Sequence, residues 1–136
     1  MNHRPLEVEL IIPVKTYDID FAGIVSNIVY IRWLEDLRLK LLDEYLPLEK
    51  QMQLGRAPIM TGTQIEYKRQ IKLFDSVIGR AWMSELKRVK WVIQAEFLLH
   101  NEIAAQARQT GAFICLEKKR PVEIPLELQQ EFSKHA

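Results

Sequence analysis

The sequence predicts an α+β domain in which one long helix lies on an antiparallel sheet, and three observations carry that prediction. Apolar residues alternate with period two from Leu6 to Val14, switch to a helical period from Ile28 to Tyr45, and return to alternation in about four later runs. A single helix followed by consecutive strands, without the strand–helix–strand alternation of a parallel sheet, favours antiparallel pairing.

The first run sets Leu6, Val8, Leu10, Ile12 and Val14 against Glu7, Glu9, Ile11 and Pro13. Pro13 has no N–H for a ladder, so this strand belongs at a sheet edge or leaves the sheet there. In the helical run Tyr30, Trp33, Leu34, Leu37, Leu41 and Leu42 share one broad face, with Arg32, Asp36, Lys40 and Asp43 on another. Pro47 limits the helix, and Leu48 to Arg56 reads as a connecting segment. Strands are expected over 58–70, 76–86, 90–100 and 103–116, with turns at Lys87-Arg88 and Asn101-Glu102. The last strand carries Ala105, Ala107, Gly111, Phe113 and Cys115 on one side. There Gly111 serves either close packing or a bulge. Lys118 to Ile124 closes the sheet, and Pro125 to Phe132 is expected to form a terminal helical turn.

A chain of 136 residues makes one domain, 1–136, able to bury a core without disulfides or a structural metal. Hydrophobic residues at 48% and charged residues at 27% describe a globular chain, and a net charge of +1 argues against nucleic acid as the main partner. With the single Cys115 no intrachain disulfide forms, and Met1 to Glu9 contains no signal-like apolar stretch. A cytoplasmic location is the expectation, and no uncharged run is long enough to span a bilayer.

The chemistry-bearing stretch is Tyr17-Asp18-Ile19-Asp20-Phe21-Ala22-Gly23-Ile24-Val25-Ser26-Asn27. A carboxylate pair precedes a glycine bend, and Ser26 and Asn27 offer N-cap chemistry where the helix begins. Unpaired N–H groups and the positive end of the helix dipole make such a terminus suited to developing negative charge. On residue type alone Asp20 is also a turn-forming aspartate, and Asp18 a turn or capping carboxylate that points away from Asp20 if the backbone is extended.

The pattern Asp18-x-Asp20-x-Ala22-Gly23-Ile24-Val25, then Tyr30, Glu35 and Arg38, resembles hotdog-fold acyl-CoA thioesterases of the 4-hydroxybenzoyl-CoA thioesterase type. The resemblance continues weakly through Ile65-Glu66-Tyr67, Phe74-Asp75, Arg120-Pro121 and Ile124-Pro125. It implies a sheet curled around the central helix, and dimers or tetramers with active sites between subunits. It implies thioester hydrolysis with Asp20 as general base or nucleophile, and the backbone N–H of Asn27 as oxyanion donor. Gly23 would allow the bend or the close approach of the thioester. Ser26, Val29 and Tyr30 would border the acyl group; relatives carry an aromatic residue at the place of Asn27 and an asparagine at that of Val29. Lys87, Arg88 and Lys90, or Lys118, Lys119 and Arg120, would meet coenzyme A phosphates unless they are solvated turn charges. Glu35 and Arg38, three apart on a helix, suit an ordinary ion pair. The substrate would be an aromatic or fatty acyl-CoA or an acyl carrier protein thioester, with no metal and no cofactor beyond coenzyme A as part of the substrate. A silent acyl-thioester-binding module is the alternative. His3, His100 and His135 lie outside the Asp-rich stretch, which disfavours a dehydratase.

Overall fold

The computed structural model describes residues 3–135. Strand β1 (Val8–Pro13) leads through a 3-10 turn (Thr16–Asp18) to helix α1 (Asn27–Tyr45) and the short α2 (Leu48–Gln53). Four long strands follow: β2 (Arg56–Tyr67), β3 (Ser76–Leu86), β4 (Trp91–Leu99) and β5 (Glu102–Cys115). A two-residue β6 (Pro121–Val122) and helix α3 (Leu126–His135) complete the chain. All strand pairs are antiparallel, in the order β1-β3-β4-β5-β2, with β6 against β5. β1 is an edge strand and Pro13 is its last residue, in keeping with the missing ladder donor.

The helix is placed by complementary faces. Val29, Tyr30, Trp33, Leu34, Leu37 and Leu41 of α1 are buried against Val77, Ala81 and Met83 of β3 and Ile93, Ala95 and Phe97 of β4. Gly79 makes the approach close: a Cβ there would lie 3.0 Å from Ile12 Cδ1 and 3.3 Å from Leu37 Cδ1. Leu37 and Leu41 are fully buried, which is worth about 1.5–3 kcal/mol each relative to exposure. On β5 the inward row is Ala105, Ala107, Gln109, Gly111 and Phe113, all buried. Gln109 is the polar exception, and it is satisfied at both ends: its Oε1 accepts from Arg38 Nη1 at 2.6 Å and its Nε2 donates to Thr63 Oγ1 at 3.1 Å.

Several local expectations are corrected. The segment after β1 is not extended to Asp20, because Thr16–Asp18 winds into a 3-10 turn, with Asp18 N–H on Lys15 O and Asp18 Oδ2 accepting from Lys15 N–H. Leu48 to Arg56 contains α2, which ends at Gly55 in the left-handed region that glycine tolerates. The turn from β4 to β5 is His100-Asn101, both at positive φ, the geometry of a two-residue type I′ hairpin. Only Pro121–Val122 of the closing segment pairs with the sheet, whereas the expected terminal turn is a ten-residue helix. Among the described residues no helix is long and apolar enough to cross a membrane.

Candidate active site

The site is built from a small hairpin between β1 and α1. Ile19 bridges Val25, Asp20 N–H donates to Ile24 O at 2.8 Å, and Gly23 N–H donates to Asp20 O at 3.0 Å. Gly23 closes the turn at φ +78°, a conformation costing other L-residues about 1–2 kcal/mol. Asp20 opens it: its Oδ1 accepts from Ala22 N–H at 2.8 Å, the Asx-turn bond that aspartate favours. The other carboxylate oxygen has no protein partner among the described residues, and the side chain is half-buried. The turn bond therefore orients the carboxylate while leaving one oxygen available.

The hairpin is held from two directions. Ser26 N–H donates to Asp18 O at 3.0 Å, so the turn reading of Asp18 explains its buried position. Val25 N–H donates to Ile71 O at 2.8 Å and Ile24 bridges Lys72, which ties the hairpin to the β2–β3 connection. Val14 N–H to Asp75 O at 3.0 Å fixes that connection to the end of β1.

Ser26 is the N-cap of α1, yet its side chain makes no capping bond, and Asn27 is the first helical residue. The Asn27 and Ile28 amides have no acceptor among the described residues, as the first turn of a helix dictates. A cleft of about 320 Å³ opens beside them, lined by Asn27, Tyr30, Tyr67, Lys68, Arg69 and Gln70 among others. Tyr30 is only 3% exposed, with its ring edge-on to Trp33, Tyr67 and Phe97 at centroid distances of 5.4, 5.1 and 5.8 Å.

Burial pushes the Tyr30 phenol up to about 12, with the neighbouring Tyr67 adding to the effect. The folded state thus keeps a proton that the unfolded chain gives up near pH 10. The stability tied to this proton is complete below pH 10 and is lost as pH rises from 10 towards 12. Urea unfolding between pH 9 and 11.5 is expected to show a steeper loss of stability in wild type than in Tyr30→Phe. Parallel curves would reject that origin.

The other sequence-derived residues are distributed differently. Val29 is buried and lines a separate groove of about 540 Å³ with Tyr17, Asp18, Arg32 and Trp33. Lys87, Arg88 and Lys90 turn between β3 and β4 at the Leu86–Trp91 end, whereas the Asp20 hairpin follows Pro13, which pairs with Ser76 at the other end of β3. Eleven residues of strand, about 35 Å, separate the two ends, so within the chain these cations do not reach Asp20. Arg88 instead pairs with Glu123 at 3.3 Å. Lys118, Lys119 and Arg120 belong to the turn after β5. Glu35 and Arg38 are not an ion pair. The cations that do line the cleft are Lys68 and Arg69, which sequence reading placed inside a strand. Both amides bond to Ala104 O, and Arg69 pairs with Glu102. Their signal was the basic run Lys68-Arg69 followed by Lys72, directly after the last strand aromatic, Tyr67. No cluster of three or more His, Cys, Asp or Glu occurs among the described residues.

Residues 14–132 match the family described as the thioesterase-like superfamily. Among solved structures, a DHNA-CoA thioesterase from Staphylococcus aureus superposes with a TM-score of 0.87 at 18% identity, over 94% of this chain and 89% of that one. A 1,4-dihydroxy-2-naphthoyl-CoA thioesterase from Synechocystis gives 0.85 at 15% identity, over 93% and 96%. A probable thioesterase from Escherichia coli gives 0.82 at 20% identity, over 93% and 97%. At these identities the likeness establishes the fold, which is the hotdog. No curated protein sequence is similar enough to count as a match.

Proposed function

Because the chain belongs to the thioesterase-like superfamily and is a thioester hydrolase by that membership, we propose that its substrate is an acyl-CoA and that Asp20 carries the reaction. The observation that carries this reading is that one short hairpin bears the oriented, half-buried carboxylate of Asp20 on its first arm and leads from its second arm into the free amides of a helix N-terminus, with Asn27, though not Asp20, lining the cleft. The carbonyl of a thioester seated in the cleft develops negative charge on its oxygen as the bond is attacked. The Asn27 amide, with the helix dipole behind it, supplies the donor for that oxygen. Asp20 either takes a proton from the attacking water, after which the C–S bond breaks and coenzyme A leaves as the thiolate, or attacks the carbonyl itself, expelling that thiolate and giving a mixed anhydride that water hydrolyses to the free acid and the Asp20 carboxylate. Gly23 keeps the turn free of a side chain, with nothing within 4 Å of a Cβ built there. Tyr30 lines the cleft, and Ser26, between the turn and Asn27, does not.

The named coenzyme A thioesterases among the structural relatives support a coenzyme A thioester of an aromatic acid as the first substrate to try. Among the described residues the outer edge of β2 pairs with nothing, and on it a second copy would continue the sheet. The test is release of free thiol from aromatic and fatty acyl-CoA thioesters and from an acyl carrier protein thioester. Turnover on the coenzyme A series is expected. Folded protein that hydrolyses none of them would end the reading in favour of a binding module.

A further inference from the structure

A third cavity, of about 130 Å³, lies between the C-terminal half of α1 and the sheet. Its wall is mainly apolar, with Leu42, Met60, Trp91 and Phe113 among the lining residues, and Arg38 and Glu35 are its charged residues. It shares no lining residue with the cleft beside Asn27. Arg38 is eleven residues along the helix from Asn27, about 16 Å at the helical rise. An apolar cavity of about 150 Å³ is large enough to hold benzene, so this one is of ring size.

Arg38 is the group without an evident internal purpose. Its guanidinium is half-buried, and among the described residues only one of its five N–H donors is used, on the neutral Gln109 amide. No carboxylate of the described residues reaches it at ion-pair distance. Burial pulls its pKa down from the ordinary value, with the field of Glu35 opposing, as expected for a cation drawn out of water without a close counter-charge. Gln109 is 1% exposed and held by Thr63, so the guanidinium is anchored on one side and offers its remaining donors at the cavity. A planar fork of donors beside an apolar chamber matches a carboxylate carried on a compact apolar body.

We infer that this cavity is a second ligand site, taking a small carboxylate whose carboxyl group sits on Arg38 and whose ring-sized body lies among Leu42, Met60, Trp91 and Phe113. Glu35 lines the same cavity and opposes an anion, but it is exposed and its field is screened by water. The inference does not depend on the thioesterase reading, because it uses neither Asp20 nor the helix N-terminus.

The experiment is an NMR titration that follows the Trp91 indole N–H, with benzoate and, separately, with benzyl alcohol as a neutral body of the same size. In wild type benzoate is expected to shift this signal saturably, at least tenfold more tightly than benzyl alcohol. Arg38→Met is expected to erase the preference, and Glu35→Gln to tighten benzoate about two- to fivefold, the range of a screened charge pair. Equal binding of the two probes by wild type, no saturable shift with benzoate, or an unchanged preference in folded Arg38→Met would overturn the site. The two-probe comparison in wild type decides the matter even if Arg38→Met does not fold. An affinity for benzoate that Glu35→Gln leaves unmoved would count against a carboxylate seated on Arg38.

Discussion

Asp20→Asn is expected to lower kcat for acyl-CoA hydrolysis by about 10²–10⁴-fold, the range associated with a positioned proton-transfer group. The substitution is nearly isosteric, and the asparagine amide oxygen can still accept from Ala22 N–H, so the Asx turn and the hairpin survive. What disappears is the negative charge on the free oxygen. Asp18→Asn separates charge from architecture. Asp18 is buried and spends Oδ2 on the Lys15 amide, so its replacement is expected to change stability by about 1 kcal/mol and to leave kcat within a few-fold. Thiol release at saturating substrate, with a thermal melt of each variant, measures both effects. Undiminished kcat in folded Asp20→Asn would remove Asp20 from the mechanism.

The largest expected loss of stability comes from Gly111→Ala. Trp91 is the cross-strand partner of Gly111, and its indole lies over the glycine, with Nε1–H donating to Ala112 O at 3.1 Å. A Cβ at this position would run into the Trp91 ring on one side and the backbone carbonyl of Ile59 on the other. The carbonyl belongs to the paired strand and cannot swing aside, so the indole must leave its place in the core. Overpacking of this kind costs about 3 kcal/mol, on the order of a 10 °C fall in Tm for a chain of this length. Gly23→Ala is the useful contrast, because there the space is open and only the positive φ resists. Calorimetric melting of both variants checks the ranking, and a Gly111→Ala protein that melts with wild type would contradict the packing account.

The division between what could be read and what could not follows interaction range. Helix α1 and the four long strands were legible within a few residues because their burial repeats with the period of their own backbone. The edge position of β1 was legible from Pro13, a purely local fact about a missing donor. Helix α2 has only six residues, too few for a period to register, and the 3-10 turn at Thr16–Asp18 depends on a side chain folding back on Lys15 N–H. The strand order was beyond local pattern, since β2 skips β3 and β4 to pair with β5. That order also decides which cations of the chain lie near its own hairpin. Lys87, Arg88 and Lys90 share one end of the sheet with the segment after Lys118, Lys119 and Arg120, where Ile124 N–H bonds to Arg88 O, and the β3–β4 register sets that end opposite the Asp20 hairpin. Lys68 and Arg69 reach the cleft because the connection after β2 returns to the hairpin. Gln109 falls on the face of Ala105, Ala107, Gly111 and Phe113 by period two, but its partners Arg38 and Thr63 come to it only through the fold.

The bonds from Val25 to Ile71 and from Val14 to Asp75 have a consequence for assembly. The turn bearing Asp20 is short, but its shape is completed by a segment that is synthesised after α1, α2 and the whole of β2. Closing so long a loop costs chain entropy before any contact repays it. A nascent or partly unfolded chain can therefore form α1 before the hairpin that orients Asp20 is in place. The orientation of Asp20 arrives with the late docking of the β2–β3 connection, so on the proposed reading hydrolysis and long-range folding switch on together.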